Sequence, residues 1–215
     1  MTENEIAGAN LFMMCEKLNP DALTDVPECY TLRPLRPDEL ELWKVIHFDT
    51  APEVEQNKAF MDQYYDTVYA PYADTFYNSC LVLCRNDTDK PIGTCFAWMA
   101  YQKVLTIHWF KIKKEYENHG LGRALLSGVM RTINPQSYPV FLHTQPSSYR
   151  AIKLYTDFGF SFLTDDKVGY RQNHLTESLP YLNARMPEKV YHSLTFKKAP
   201  SVFLEAALTK EFSEF

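Results

Sequence analysis

The sequence predicts an α/β fold of the α+β kind, a mixed, mostly antiparallel central sheet flanked by helices. Three observations carry this expectation. Runs rich in β-branched and aromatic residues at Cys80 to Arg85, Ile92 to Met99 and Val104 to Ile112 follow one another across short turns, which makes an antiparallel meander. The last run passes through a charged turn, Lys113 to Asn118, into a stretch where Leu121, Leu125 and Val129 recur every fourth residue, with Leu126 and Met130 beside them. Pro139 to Thr144 is then a short apolar strand that follows a helix, so its partner should be parallel.

Composition bounds the rest. At 215 residues the length suits one domain with additions. Hydrophobic residues make up 46% and aromatic residues 14%, ample for a core and too much for a disordered chain. No apolar run approaches the roughly 18–20 residues of a membrane span, so no membrane partner is expected. The opening MTENEIAGANLF lacks a basic region followed by a hydrophobic stretch, and no secretory signal is expected. A net charge of −5 argues against a nucleic-acid partner, whose footprint is a basic patch. The five cysteines show no metal-ligand spacing, and no metal site is expected. Cys80, Cys84 and Cys95 lie in apolar runs and read as buried thiols in a reducing, cytoplasmic setting.

Taken in order, residues 1–28 read as an N-terminal arm, with Ile6, Ala9 and Met13 on one face of a short helix. The main domain spans 29–198 and begins with a strand at Tyr30 to Leu35. Arg36-Pro37-Asp38 then introduces a helix in which Leu40, Trp43 and Ile46 or His47 share a face. The stretch from Asp49 to Asn78 is acidic and carries Tyr64, Tyr65, Tyr69, Tyr72 and Tyr77. Tyrosine and aspartate together can hold a cationic amine, but tyrosines at helical spacing more often form a packing face, the reading preferred here. Asn86-Asp87-Thr88-Asp89 reads as a turn. Beyond Pro139 to Thr144, Ser147 or Ser148 is placed to cap a helix whose Ala151, Leu154, Tyr155 and Phe158 share a face. Gly159 follows where a left-handed residue is wanted, and Phe160 to Leu163 is the next strand. An insertion at 164–189 carries Asp165, Asp166, Tyr170, Arg171 and His174, and Tyr191 to Lys197 reads as a final strand. In the C-terminal tail, 199–215, Val202, Leu204, Ala207 and Leu208 have a helical pattern that packs or mediates a homodimer.

The glycines after Val104 to Ile112 have a chemical use. Gly120 and Gly122 carry no Cβ, so the backbone is free to take positive φ and a ligand can approach its amides. The unpaired N–H groups and the dipole of the helix start then favour an anion, typically a phosphate. A Walker A loop is excluded, because the spacing and the Lys-Ser/Thr pair are missing. A dinucleotide fingerprint fails as well, since Leu125 stands where its third glycine or alanine belongs.

Lys114-Glu115-Tyr116-Glu117-Asn118-His119-Gly120-Leu121-Gly122-Arg123 resembles the pyrophosphate loop of the GNAT superfamily of acyl-CoA-dependent N-acyltransferases. Glu117 departs from the pattern, standing where that family has Arg or Gln. A carboxylate there is unfavourable unless it faces solvent or pairs with Lys113, Lys114 or His119. A second stretch, Ser148-x-x-Ala151-x-x-x-Tyr155-x-x-x-Gly159-Phe160, resembles the second GNAT signature, with Ser148 in place of Asn. The two occur in the right order, separated by one helix and one strand, and together are far more specific than either alone. The LRPLRP run is similar to the opening strand of such domains.

The resemblance implies acetyl-CoA as co-substrate and an amine, on a small molecule or a peptide, as acceptor. It implies that Asn118, His119, Gly120, Leu121, Gly122 and Arg123 hold the pyrophosphate, with Phe110, Lys111, Ile112 and Ser148 as further cofactor contacts. A backbone N–H near Ile112 would polarise the thioester carbonyl, and Tyr155 would protonate the departing thiolate. His108 falls near the position where many relatives carry their base, with His143 as competitor. A cysteine nucleophile is rejected, because no cysteine stands at a helix start beside a basic group. Two other functions stay open: a non-catalytic acyl-CoA-binding protein, and an enzyme acetylating a protein N-terminus or lysine.

Overall fold

The computed structural model describes residues 1–210 and 212–215. Helix α1 (Glu3–Ala7) precedes strand β1 (Leu11–Cys15), and β2 (Tyr30–Pro34) precedes α2 (Leu40–Val45). Helix α3 (Ala51–Tyr64) runs on through a π-helical turn, Tyr65–Tyr69, to α4 (Ala73–Ser79) and β3 (Leu81–Arg85). Next come β4 (Pro91–Ala100), β5 (Val104–Ile112), α5 (Leu121–Thr132), β6 (Val140–Thr144), α6 (Tyr149–Asp157) and β7 (Phe160–Leu163). The short strands β8 (Lys167–Val168) and β9 (Arg171–Gln172) precede α7 (Leu175–Asn183), α8 (Glu188–Tyr191), β10 (Phe196–Lys197) and α9 (Ser201–Ala207). Pairing is antiparallel except for β5 with β6 and β10 with β7, so the sheet is mixed and mostly antiparallel as expected. Among the described residues, no helix is long and apolar enough to cross a membrane.

The described residues form two compact units. The first comprises Met1–Ala22, Met99–Thr106 and Asn134–Phe215. Its strand order is β10-β7-β1-β6, with Thr106 of β5 set in parallel opposite Phe141 of β6. Strand β1 is antiparallel to both neighbours, Leu11 facing Thr144 on one side and Met13 facing Phe162 on the other. This corrects the helix expected across Ile6, Ala9 and Met13. LFMMC is a continuous apolar run, all five residues are buried, and a strand covered on both faces shows no alternation to read.

Three further expectations in this unit are corrected. Ser148 stands at the start of α6 but makes no capping bond, because with ψ of 29° its backbone is not in the extended conformation of a capping residue. The buried stripe of α6 is Ile152, Tyr155 and Phe158, while Ala151 and Leu154 are half-buried. Tyr191 to Lys197 is not one strand. The Pro187 carbonyl accepts from the Val190 and Tyr191 amides and closes a helical turn, which leaves Phe196–Lys197 to pair with β7. In α9 the inward face is Phe203, Ala206 and Ala207, with Phe203 stacked 3.8 Å from Phe141, while Val202 and Leu208 are exposed.

The second unit comprises Leu23–Trp98 and Ile107–Ile133, with strand order β5-β4-β3-β2. Helix α5 buries Leu121, Leu125 and Val129 with Leu126 and Met130, the face its periodicity predicts. Trp43 is 1% exposed and meets Phe76 edge-on at 5.1 Å, while Tyr69 stacks on Phe76 at 4.7 Å. Tyr64, Tyr65 and Tyr69 are buried, so this part of the tyrosine-rich stretch is a packing face. His47 lies 4.6 Å from the Trp109 ring and 5.1 Å from Trp43. Desolvation, with Lys111 nearby, pushes its pKa down to about 3. Cys80, Cys84 and Cys95 are buried free thiols, as is Cys15 in the first unit, whereas Cys29 is exposed.

Two outcomes follow from this packing. Gly159 closes α6 with φ of 99°, and a Cβ built there lies 2.8 Å from the Lys17 carbonyl oxygen. Gly159→Ala is therefore expected to lower unfolding free energy by about 2 kcal/mol or more, read from urea denaturation. For His47, the unfolded chain takes up a proton below about pH 6.5, and the folded chain does so only near pH 3. Its contribution to stability thus falls as pH drops through that window. His47→Phe removes the titration, and its urea midpoint should lose less than the wild type's between about pH 6 and about pH 4.

Candidate functional site

The loop between β5 and α5 lies wholly in the second unit. The Lys113 amide donates to the Ile92 carbonyl at 2.8 Å and ties the strand end to β4. A tight turn follows, closed by the Tyr116 amide on Lys113 (2.8 Å) and the Glu117 amide on Lys114 (3.2 Å). Asn118 and Gly120 then take φ of 64° and 75°, and α5 begins at Leu121. Of the two glycines singled out, Gly120 alone is left-handed. Gly122 is helical, and Asn118, a residue type enriched in that conformation, supplies the other positive φ. A Cβ on Gly120 would meet nothing within 4 Å, so this position faces open space. Asn118 and His119 are exposed beside it, and no side chain caps the helix start. The start of α5, with the positive end of its dipole, thus lies beside open space without a side-chain cap. Gly122 and Arg123 are half-buried in the first turn. Among the described residues neither Lys113 nor Lys114 forms an ion pair, so neither holds Glu117.

Upstream on β5, Phe110 and Lys111 are half-buried and Ile112 is buried. Lys111 Nζ is 2.8 Å from Asp49 Oδ1, an ion pair between the strand and the loop before α3. Trp109 has φ of 52°, rare for a bulky side chain and worth about 1–3 kcal/mol of strain. What holds it is visible around the ring. Its Nε1 donates to Tyr69 Oη at 2.9 Å, and His47 and Tyr64 pack against it at 4.6 and 5.3 Å. Tyr69 Oη also lies 2.5 Å from Nδ1 of His108, which is 3% exposed. Burial raises the Tyr69 phenol far above its ordinary pKa, so it is a neutral partner for the imidazole. Sequence reasoning missed both Tyr69 and Trp109. A tyrosine among many and a tryptophan in an apolar strand give no signal of such a bond. A cleft of about 600 Å³ lies between the α2–α3 corner and this loop, with Ile46, Phe48 and Val54 along its apolar side and Lys113 and Lys114 at its rim.

The remaining site residues belong to the first unit. Tyr155 is 6% exposed on α6, with its ring 5.8 Å from Phe160, and Ser148 is half-buried at the helix start. His143 Nε2 is 2.9 Å from Asn10 Oδ1. Burial, helped by the Arg171 charge, lowers its pKa to about 3, which makes it a poor proton acceptor at neutral pH. Among the described residues, no group of three or more His, Cys, Asp or Glu is placed to hold a metal ion.

The profile of the Acetyltransferase (GNAT) family matches residues 41–160, more than half of the chain. No curated protein sequence matches it. Among solved structures, a GCN5-related N-acetyltransferase from Sphaerobacter thermophilus is similar with a TM-score of 0.52 and 18% identity, over 73% of this chain and 49% of that one. A tandem GNAT protein from the clavulanic acid biosynthesis pathway gives 0.54 and 14%, over 72% and 50%. An acetyltransferase of the GNAT family from Colwellia psychrerythraea gives 0.51 and 11%, over 72% and 53%. At such identities the likeness is one of fold, and the chain spans about half the length of these structures. The matched segment contains β5, the left-handed loop, α5 and α6 with Tyr155 and Gly159, and on that match the chain belongs to the GNAT acetyltransferase family.

Proposed function

We propose that the chain is an acyl-CoA-dependent N-acetyltransferase, transferring an acetyl group from acetyl-CoA to a primary amine of a small molecule or peptide. The observation that carries this reading is the exposed loop with left-handed Asn118 and Gly120 ahead of the uncapped start of α5. A diphosphate is the anion such a seat favours, because several amides and the helix dipole act on it together. Asn118, His119, Gly120, Leu121, Gly122 and Arg123 would hold it, with Phe110, Lys111, Ile112 and Ser148 as further contacts to acetyl-CoA. The free cysteines are in keeping with a cytoplasmic enzyme.

The chemistry needs a neutral amine, a stabilised tetrahedral oxyanion and a protonated leaving thiolate. A backbone N–H near Ile112 serves the oxyanion, a preorganised donor worth ~3 kcal/mol of barrier. Tyr155 serves the thiolate as general acid, since a phenol of pKa ~10 can protonate a departing sulfur. His108 receives the proton of the amine. With Nδ1 engaged by Tyr69, that proton arrives at Nε2 or by way of the tyrosine. A second reading, acyl-CoA binding without transfer, is favoured by one residue. Glu117 places a carboxylate where the family has Arg or Gln.

Isothermal titration with acetyl-CoA is expected to show a dissociation constant on the order of micromolar. Gly120→Asp sets a carboxylate against the anion seat and should abolish that binding. No binding to the wild-type chain would overturn the proposal, and binding without acetylation of any amine would select the second reading. Tyr155→Phe should lower turnover by roughly 10²-fold with acetyl-CoA affinity unchanged. Wild-type turnover in that variant would reduce Tyr155 to a packing residue.

A further inference from the structure

The segment between β7 and α9 contains a cleft that acetyl transfer, as described above, does not use. It lies in the first unit, has a volume of about 290 Å³, and is bounded by the turn after β7, the start of α7 and β10. Its polar wall combines the acceptor carboxylates of Asp165 and Asp166 with the hydroxyls of Thr164 and Thr176 and the amide of Asn173, which both donate and accept. Asn173 is 7% exposed. Its Nδ2 donates to the carbonyls of Leu163 at 2.7 Å and Asp165 at 2.9 Å, which fixes the orientation of the amide. Oδ1 is then the acceptor end. That oxygen is buried and has no hydrogen-bond partner, a costly state that a donor entering the cleft would relieve.

Charge selects the donor. Among the described residues, no lysine or arginine lines the cleft. Asp166 is exposed and forms no ion pair among the described residues. Asp165 is already engaged, its Oδ2 by the Ala199 amide at 2.7 Å and its Oδ1 by Lys198 Nζ at 3.8 Å. Lys198 and the positive end of α7 offset part of the negative charge, which leaves the attraction for one cation rather than two. Leu179 and Phe196 supply an apolar wall, and Phe196, 45% exposed, offers an aromatic surface to a cation or a hydrocarbon. The absence of a three-ligand group among the described residues favours an ammonium over a metal ion.

We propose that this cleft binds an organic monoammonium ion, the protonated form of an alkyl or arylalkyl amine, with Asp166 and Asn173 Oδ1 receiving its N–H donors. The proposal concerns binding and holds whether or not the amine is also an acetyl acceptor. It is tested by titrating the full chain with phenethylammonium, and with phenylacetate as the anionic counterpart of similar shape, while amide NMR shifts are followed. Phenethylammonium should give saturable shifts at Thr164, Asp165, Asp166, Asn173 and Thr176, and phenylacetate should give none. Asp166→Asn should weaken amine binding about tenfold, the worth of one charge-assisted hydrogen bond, with the melting temperature unchanged. Equal responses to the two compounds, shifts confined to other residues, or an unchanged affinity in Asp166→Asn would each overturn it.

Discussion

The path of the backbone from β5 into α5 constrains the second unit more than any single contact. The strand must stop at Ile112, and the helix must begin at Leu121 with its buried face already in phase. The amide of Lys113 anchors the first end on β4, and two left-handed residues turn the chain into the second. Asn118 and Gly120 are exposed, so the turn that solves the packing problem also leaves the start of the helix without a side-chain cap beside open solvent. One local geometry thus serves both the core and the anion seat proposed above. A substitution that keeps the helix but alters the turn would separate the two.

A second constraint acts just upstream. Trp109 occupies a backbone region that few tryptophans tolerate, and the compensation comes from a distant part of the sequence. Tyr69 sits in a π-helical turn, an unusual winding often found where function needs a side chain re-aimed. From there its hydroxyl accepts the Trp109 indole proton and meets His108. Adjacent residues of one strand are held by a single phenol, so loss of that hydroxyl would loosen both. The strain is local, and its cause is a tertiary hydrogen bond.

How legible was all this in the chain itself? Val104 to Ile112 and the face of α5 were readable, because their patterns are set by one buried side and their ends by a charged turn and a glycine pair. The parallel set of β6 against β5 followed from the helix between them. Strand β1 was not readable, since a segment buried on both faces carries no period. The left-handed turn was legible in Gly120, yet Asn118 as the second left-handed residue was hidden, asparagine being common in ordinary turns. His108 was visible as a residue type, but its bond to Tyr69 depends on the packing of Trp43, Phe76 and Trp98 around that tyrosine. Such a bond exists only once the core is assembled.

Strand β1 also bears on how the protein is made. It leaves the ribosome well before both of its partners, β6 at Val140–Thr144 and β7 at Phe160–Leu163. During synthesis LFMMC is therefore an apolar, unpaired segment until β6 and β7 have been translated. Contacts this distant in sequence form slowly, and an exposed strand of this composition is prone to join others like it. The nascent chain thus gains from protection of this strand until β6 and β7 arrive, which is the interval in which a chaperone would have the most to do.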